Sequence, residues 1–289
     1  MLSNDILNKI KHIEIYTKRL LSGSMVGDSR SAIKGSGLEF DQIREYQIGD
    51  DVRFIDWNSS VRMNKLLVKQ YVEERNRTIL LAIDISKSSM FSSNDQLRHD
   101  LIAQVASVLT LVAEYGKDHV GLLLFSDIQE LVIPVKRGRN HSRALMEKLF
   151  TYQPRNSKTD INVALAWAAQ HKRKDAMLFI ISDFISDSFE KNLGIVASMH
   201  EVVNIRVADR NEIELPKIGF IEIEDPESGV IHMIDARDKH VHKLNAYLKE
   251  RREKQDSVFA RCATDCIDVA NGKPFIGDLI RFFRRKMRY

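Results

Sequence analysis

The sequence predicts an α/β fold: a doubly wound, mostly parallel sheet with helices on both faces, and a small β-rich subdomain beside it. Three observations predict this. The runs TILLAID (78–84), VGLLLF (120–125) and AMLFII (176–181) are short and continuously apolar, the pattern of strands buried on both faces. They alternate with stretches of helical periodicity at 95–115, 140–151, 161–172 and 187–199, which is the order of a parallel sheet. Upstream, in 22–77, that regularity is lost: Gly23, Gly27, Gly35, Gly37 and Gly49 punctuate short charged segments.

Taken in order, Ile6, Ile10, Ile13 and Leu20 lie near helical spacing, so an amphipathic helix is expected over 1–21. KLLVKQYVEE (65–74) alternates as a half-exposed strand within the turn-rich 22–77 region. The main domain is expected over 78–209. Its first helix presents Leu97, Leu101, Val105, Val108 and Val112 on one face and stops at Gly116. QELVIPVK (129–136) is a strand beside VGLLLF, TYQPRNSKTD (151–160) is a loop, and EVVNIRVAD (201–209) is the last strand. GFIEIEDPESGVIHMID reads as a hairpin around Asp-Pro-Glu-Ser-Gly, expected over 210–236 and expected to join the 22–77 region. The remainder, 237–289, reads as helical, with a charged first part and the amphipathic, basic PFIGDLIRFFRRKMRY at its end.

Composition narrows the function classes. With 44% hydrophobic and 29% charged residues the chain is an ordinary soluble globular protein, and its formal charge of +4 is too small to indicate nucleic-acid binding. No apolar run approaches the roughly 20 residues of a membrane span, and the N-terminus lacks a signal-peptide core, so a cytoplasmic location is expected. The two cysteines, Cys262 and Cys266, form neither a disulfide framework nor a zinc motif; they are expected to share a helix face as packing residues.

Chemistry concentrates where strands end. Asp84, Ser86 and Ser88 follow the first strand of the main domain, Thr159 and Asp160 precede a helix, and Ser182 and Asp183 close AMLFIISD. In an open parallel sheet these positions share the crevice beyond the strand C-termini. Turn and N-cap chemistry accounts for Asp84 to Ser88 and for Thr159 and Asp160 if each is taken singly. Together they offer only carboxylate and hydroxyl oxygens, a set suited to Mg²⁺, Mn²⁺ or Ca²⁺ rather than zinc.

This Asp-x-Ser-x-Ser, Thr, Asp series resembles the metal-ion-dependent adhesion site of von Willebrand factor A-type domains, with Asp84, Ser86, Ser88, Thr159 and Asp183 at the matching positions. GDDVRFIDW (49–57), preceded by EFDQIREY, resembles the bacterial von Willebrand A-like family known as domain of unknown function fifty-eight. The resemblance implies that Ser86, Ser88 and Thr159 bind a cation through hydroxyls while Asp84 and Asp183 act mainly through bound waters. It implies a binding module rather than an enzyme, one that takes an acidic residue of a partner protein and works beside an AAA+ ATPase of the MoxR type. A site with few negative ligands leaves the cation positive enough to attract that carboxylate. Lys158, where a small residue is usual, is the departure from the pattern.

Enzyme motifs are missing. A haloacid dehalogenase-type phosphotransferase needs a second Asp where Ser86 stands; no G-x-S-x-G elbow and no G-x-x-x-x-G-K-[ST] loop occur. A metal-dependent hydrolase is the weaker alternative, since no general base stands out and His99 reads as a helix residue. A second alternative is a metal-independent scaffold that keeps the fold with a vestigial site. Asp50, Asp51, Arg53, Asp56 and Arg62 are expected to form a buried structural ion-pair network, with Trp57 as an anchor. Arg281, Arg284, Arg285, Lys286 and Arg288 read as the solvated face of a terminal helix, the one place where membrane contact is conceivable.

Overall fold

The computed structural model describes residues 10–11, 13–15, 17, 38–73, 77–86, 98–156, 158–171, 176–186, 188–208, 220–224, 231–235, 239–270 and 275–287. The chain forms two compact units, Val26–Asn76 and the rest. In the smaller unit, β1 (Leu38–Glu45) pairs antiparallel with β2 (Leu67–Glu73), and the register shifts between Phe40 and Gln42. Between them lie a 3-10 turn (Val52–Phe54) and helix α1 (Trp57–Met63). Asp56 caps α1 by accepting from the Ser59 N–H, and Asn64 closes it in the left-handed conformation that asparagine tolerates.

The charged signature is not a buried network. Arg44 grips Asp50 with two bonds of 2.7 Å, Asp51 holds the exposed Arg53 at 2.6 Å, and Asp56 meets Lys69 at 3.6 Å. These are pairs within the unit, most of them in contact with water, and exposed pairs of this kind add about 0–1 kcal/mol each. Arg62 is exposed, and Trp57, expected to be an anchor, is 63% exposed.

The larger unit carries the predicted sheet. Six strands are ordered β10-β7-β6-β3-β4-β5: β3 (Thr78–Asp84), β4 (His119–Phe125), β5 (Gln129–Lys136), β6 (Met177–Ser182), β7 (Glu201–Ala208) and β10 (Asp265–Ala270). All pairings are parallel except β4 with β5. Alternation along β3 divides the core. Leu81 and Ile83 face Leu101, Val105 and Leu109 of α2 (Arg98–Tyr115), Leu145 and Leu149 of α3 (Arg139–Thr151), and Phe179. Leu80 and Ala82 face Ile161 and Leu165 of α4 (Ile161–Ala169) and Leu193 and Val196 of α5 (Glu190–Ala197). Each fully buried aliphatic or aromatic side chain contributes roughly 1.5–3 kcal/mol, enough in sum for the sheet to carry polar groups at its ends. Ile10, in the N-terminal helical stretch, packs with Leu111 and Met146.

The C-terminal expectation needs correction. Residues 237–289 are not simply helical: α6 (Lys239–Arg261) is followed by β10, which pairs with β7 at the sheet edge, and then by α7 (Ile276–Met287). Ile267 and Val269 point into the core while their neighbours do not, so the segment is a half-exposed edge strand. Ala263, at φ 53°, turns the chain out of the helix. Cys262 therefore lies just beyond α6 and Cys266 on β10, not on a shared helix face. The hairpin is present as β8 (Phe220–Glu224) and β9 (Ile231–Asp235); it is a sheet of its own, separate from β1–β2, and belongs to the larger unit. Among the described residues, no helix is long and apolar enough to cross a membrane. The side chains of Arg284, Arg285, Lys286 and Arg288 lie outside the described residues.

Candidate functional site

The chain leaves β3 toward β4 on one side and β6 toward β7 on the other, so the crevice between β3 and β6 is the switch point at which open sheets bind ligands. Ile83 and Ile181 are the last paired residues of these two strands. One residue further on, the Ser182 hydroxyl donates to Asp84 Oδ2 at 2.7 Å. The Ser86 N–H donates to Asp84 Oδ1 at 2.9 Å, and the Thr159 hydroxyl donates to Ser86 Oγ at 2.7 Å. Three of the predicted residues, Asp84, Ser86 and Thr159, are thus drawn together from two loops. Lys158 is exposed and leaves Thr159 room to reach inward. Ser88 lies outside the described residues.

Asp183 is close in sequence to this cluster but differently engaged. Its Oδ2 accepts from Arg98 Nη1 at 3.2 Å, and its Oδ1 accepts from the Ile185 N–H at 2.9 Å. Both side chains of the Arg98–Asp183 pair are nearly sealed from water, 4% and 7% exposed. Phe184 follows in the left-handed region at φ 58°, a conformation that strains a bulky residue. It is held there by edge contact with Phe259, ring centroids 5.0 Å apart. From α6, the Gln255 amide donates to the carbonyls of Asp183 and Phe184 at 3.2 and 2.9 Å.

The Thr159 loop has its own brace, which sequence reasoning missed. Buried Glu130 on β5 accepts from Ser126 Oγ and from the N–H groups of Arg155 and Asn156, each at 3.0 Å. The Tyr152 hydroxyl lies 3.2 Å from its other oxygen. The Asp160 N–H donates to the Ser126 carbonyl at 3.1 Å, and Asp160 caps α4 through the Asn162 N–H. No sequence signal marks Glu130, because its partners come from a loop some two dozen residues away. Ser182 was visible as a strand end but not as the donor that orients Asp84.

Burial pushes the Asp84 carboxyl above its ordinary value of 3.8, opposed by the Ser86 N–H and by the Ser182, Ser86 and Thr159 hydroxyls. Such an acid contributes stability that is complete below its ordinary pKa and is lost as pH rises through the raised one. In chelator, then, the wild-type protein should lose stability above about pH 4 relative to Asp84→Asn, and Mg²⁺ should lessen that loss. Urea denaturation across pH checks this; identical profiles for the two proteins would contradict it.

The donors fit a hard cation. Among the described residues no three His, Cys, Asp or Glu side chains are placed to hold a metal; the oxygens brought together are the Asp84 carboxylate and the hydroxyls of Ser86, Thr159 and Ser182. That favours an ion that accepts neutral oxygen and keeps waters.

A family model described as "Protein of unknown function DUF58" matches residues 42–256. The uncharacterized protein Rv1480 of Mycobacterium tuberculosis is 28% identical over 282 residues, 96% of this chain and 89% of that protein. Among solved structures, the conserved hypothetical protein BatB from Bacteroides thetaiotaomicron is similar at a TM-score of 0.50 and 14% identity, over 74% of this chain and all of that one. The VWA domain of SpRpn10 matches at a TM-score of 0.42 and 11% identity, over 72% of this chain and 95% of that one.

Proposed function

The chain belongs to the DUF58 family, and from that premise we propose that it is a protein-binding module that takes an acidic residue of a partner through a divalent cation. The observation that carries this is the convergence of Asp84, Ser86 and Thr159 by hydrogen bonds of 2.7–2.9 Å at the switch point of a von Willebrand A-like sheet. Ser86, Thr159 and Ser88 would hold Mg²⁺ or Mn²⁺ through hydroxyls, with Asp84 and Asp183 supporting it. The cation supplies a positive charge that its own ligands leave largely uncancelled, which attracts a carboxylate.

The protein's residues supply the rest. Ser182 and the Ser86 N–H fix the rotamer of Asp84; Glu130 holds the loop that presents Thr159; Gln255 holds the backbone at Asp183. No side chain in this set is placed as nucleophile and base together, and the proposed role is binding, not catalysis. The partner proposed is an acidic surface of a MoxR-type AAA+ ATPase. Capture of such an ATPase by the purified chain should be strong in Mg²⁺, weak in chelator and weak for Asp84→Ala. Equal capture in all three conditions would refute the cation bridge.

One observation favours a second reading, a metal-independent scaffold: Arg98 already balances Asp183. On that reading capture survives chelator and Asp84→Ala alike.

A further inference from the structure

Beside the site, at the C-terminal ends of β6 and β7 and under one face of α6, lies a cavity of about 480 Å³. That is within the range of small-ligand and peptide-side-chain pockets, roughly 300–1,000 Å³. Asp183, one of the candidate cation residues, and its near neighbour Ile185 are among the residues that line it. Val207, Ala246 and Leu248 make it partly aliphatic.

The charge of the lining is one-sided. Among the described residues, Arg206, Lys249, Arg251 and Arg252 line it, against one carboxylate, that of Asp183, which is paired with Arg98. Arg206 and Arg252 are balanced by Asp256 and Asp268 at 2.7 Å. Lys249 has only Glu253, at 3.9 Å and open to water, and Arg251 has no carboxylate partner among the described residues. Among the described residues, Lys249 and Arg251 are therefore the lining cations that no close carboxylate holds. Among the described lining residues there is no aromatic side chain to stack a base, and aliphatic walls suit a side chain such as leucine.

We infer that this cavity is the second half of the partner site and receives an acidic peptide segment, whose further carboxylates meet Lys249 and Arg251 while an apolar residue enters between β7 and α6. The inference rests on the cation-bridge reading and names the partner's chemistry: an acidic stretch with interleaved aliphatic residues, not an isolated acidic residue.

The test uses the full chain and a fluorescein-labelled hexapeptide alternating glutamate and leucine, with its glutamine counterpart as control, read by anisotropy. The glutamate peptide should bind saturably in Mg²⁺ and the glutamine peptide should not. Lys249→Glu with Arg251→Glu should weaken binding on the order of tenfold and leave the response to Mg²⁺ alone unchanged, which also shows that the variant is folded. Chelator and Asp84→Ala should weaken it separately. If charge reversal weakens binding while chelator and Asp84→Ala do not, the groove stands and the cation reading falls. If chelator abolishes binding and charge reversal does nothing, the groove falls and the cation reading stands. Absence of saturable binding, or equal displacement by inorganic phosphate or AMP, overturns the acidic-peptide assignment.

Discussion

Replacing Arg98 with alanine lowers the unfolding free energy by about 3–5 kcal/mol in chelator, and Mg²⁺ recovers part of that loss. Arg98 opens α2 as described, and its guanidinium reaches Asp183 at 3.2 Å with both side chains almost excluded from water. Truncating one partner of a buried pair leaves the other as an uncompensated charge, which is worse than having neither. A divalent cation bound beside Asp183 supplies an alternative counter-charge, so the variant gains more from Mg²⁺ than the wild type does. Arg98→Ala with Asp183→Asn, which removes both charges, should be less destabilised than Arg98→Ala alone. Urea denaturation with and without Mg²⁺ checks all of this; a cost below about 1 kcal/mol, the level of an exposed pair, would show that the pair is not sealed as described.

Removing the Glu130 carboxylate should cost about 3 kcal/mol and weaken cation binding by about 10–100-fold. Glu130 touches none of the residues assigned to the cation. It gathers the Arg155 and Asn156 N–H groups and the Ser126 hydroxyl, and so sets the path of the loop that ends at Thr159. Without it two backbone donors lose their acceptor, and the loop is free to carry Thr159 away from Ser86. Glu130→Gln keeps an acceptor oxygen and should retain most of the stability, whereas Glu130→Ala should not. Calorimetric titration with Mg²⁺ separates the roles: unchanged affinity in Glu130→Ala at reduced stability would make Glu130 purely structural.

These two residues mark where sequence reasoning ran out. The central strands were legible because a strand covered on both faces must be continuously apolar, and TILLAID, VGLLLF and AMLFII are. Strand β10 was not, because an edge strand needs only Ile267 and Val269 inward, and it follows a 23-residue charged helix with no Gly or Pro between. Asp84, Ser86 and Asp183 were legible as residues at or just beyond strand ends, and Thr159 as a residue of the loop before a helix. Their supports were not. Arg98 meets Asp183 across 85 positions, Ser182 meets Asp84 across 98, and Gln255 reaches Asp183 across 72. Such partners are chosen by tertiary packing, which local pattern does not encode. Trp57 shows the opposite error: a large amphipathic ring in a dense charged motif suggested burial, and it is mostly exposed.

The most direct test of the cation site is a calorimetric titration of chelator-stripped protein with Mg²⁺ and with Mn²⁺, wild type beside Asp84→Ala, paired with thermal unfolding of the same samples. The account predicts saturable binding to the wild type, stabilisation that grows as RT ln(1 + [L]/Kd), and loss of both in the variant. Responses to the cation that are the same in wild type and Asp84→Ala would contradict it.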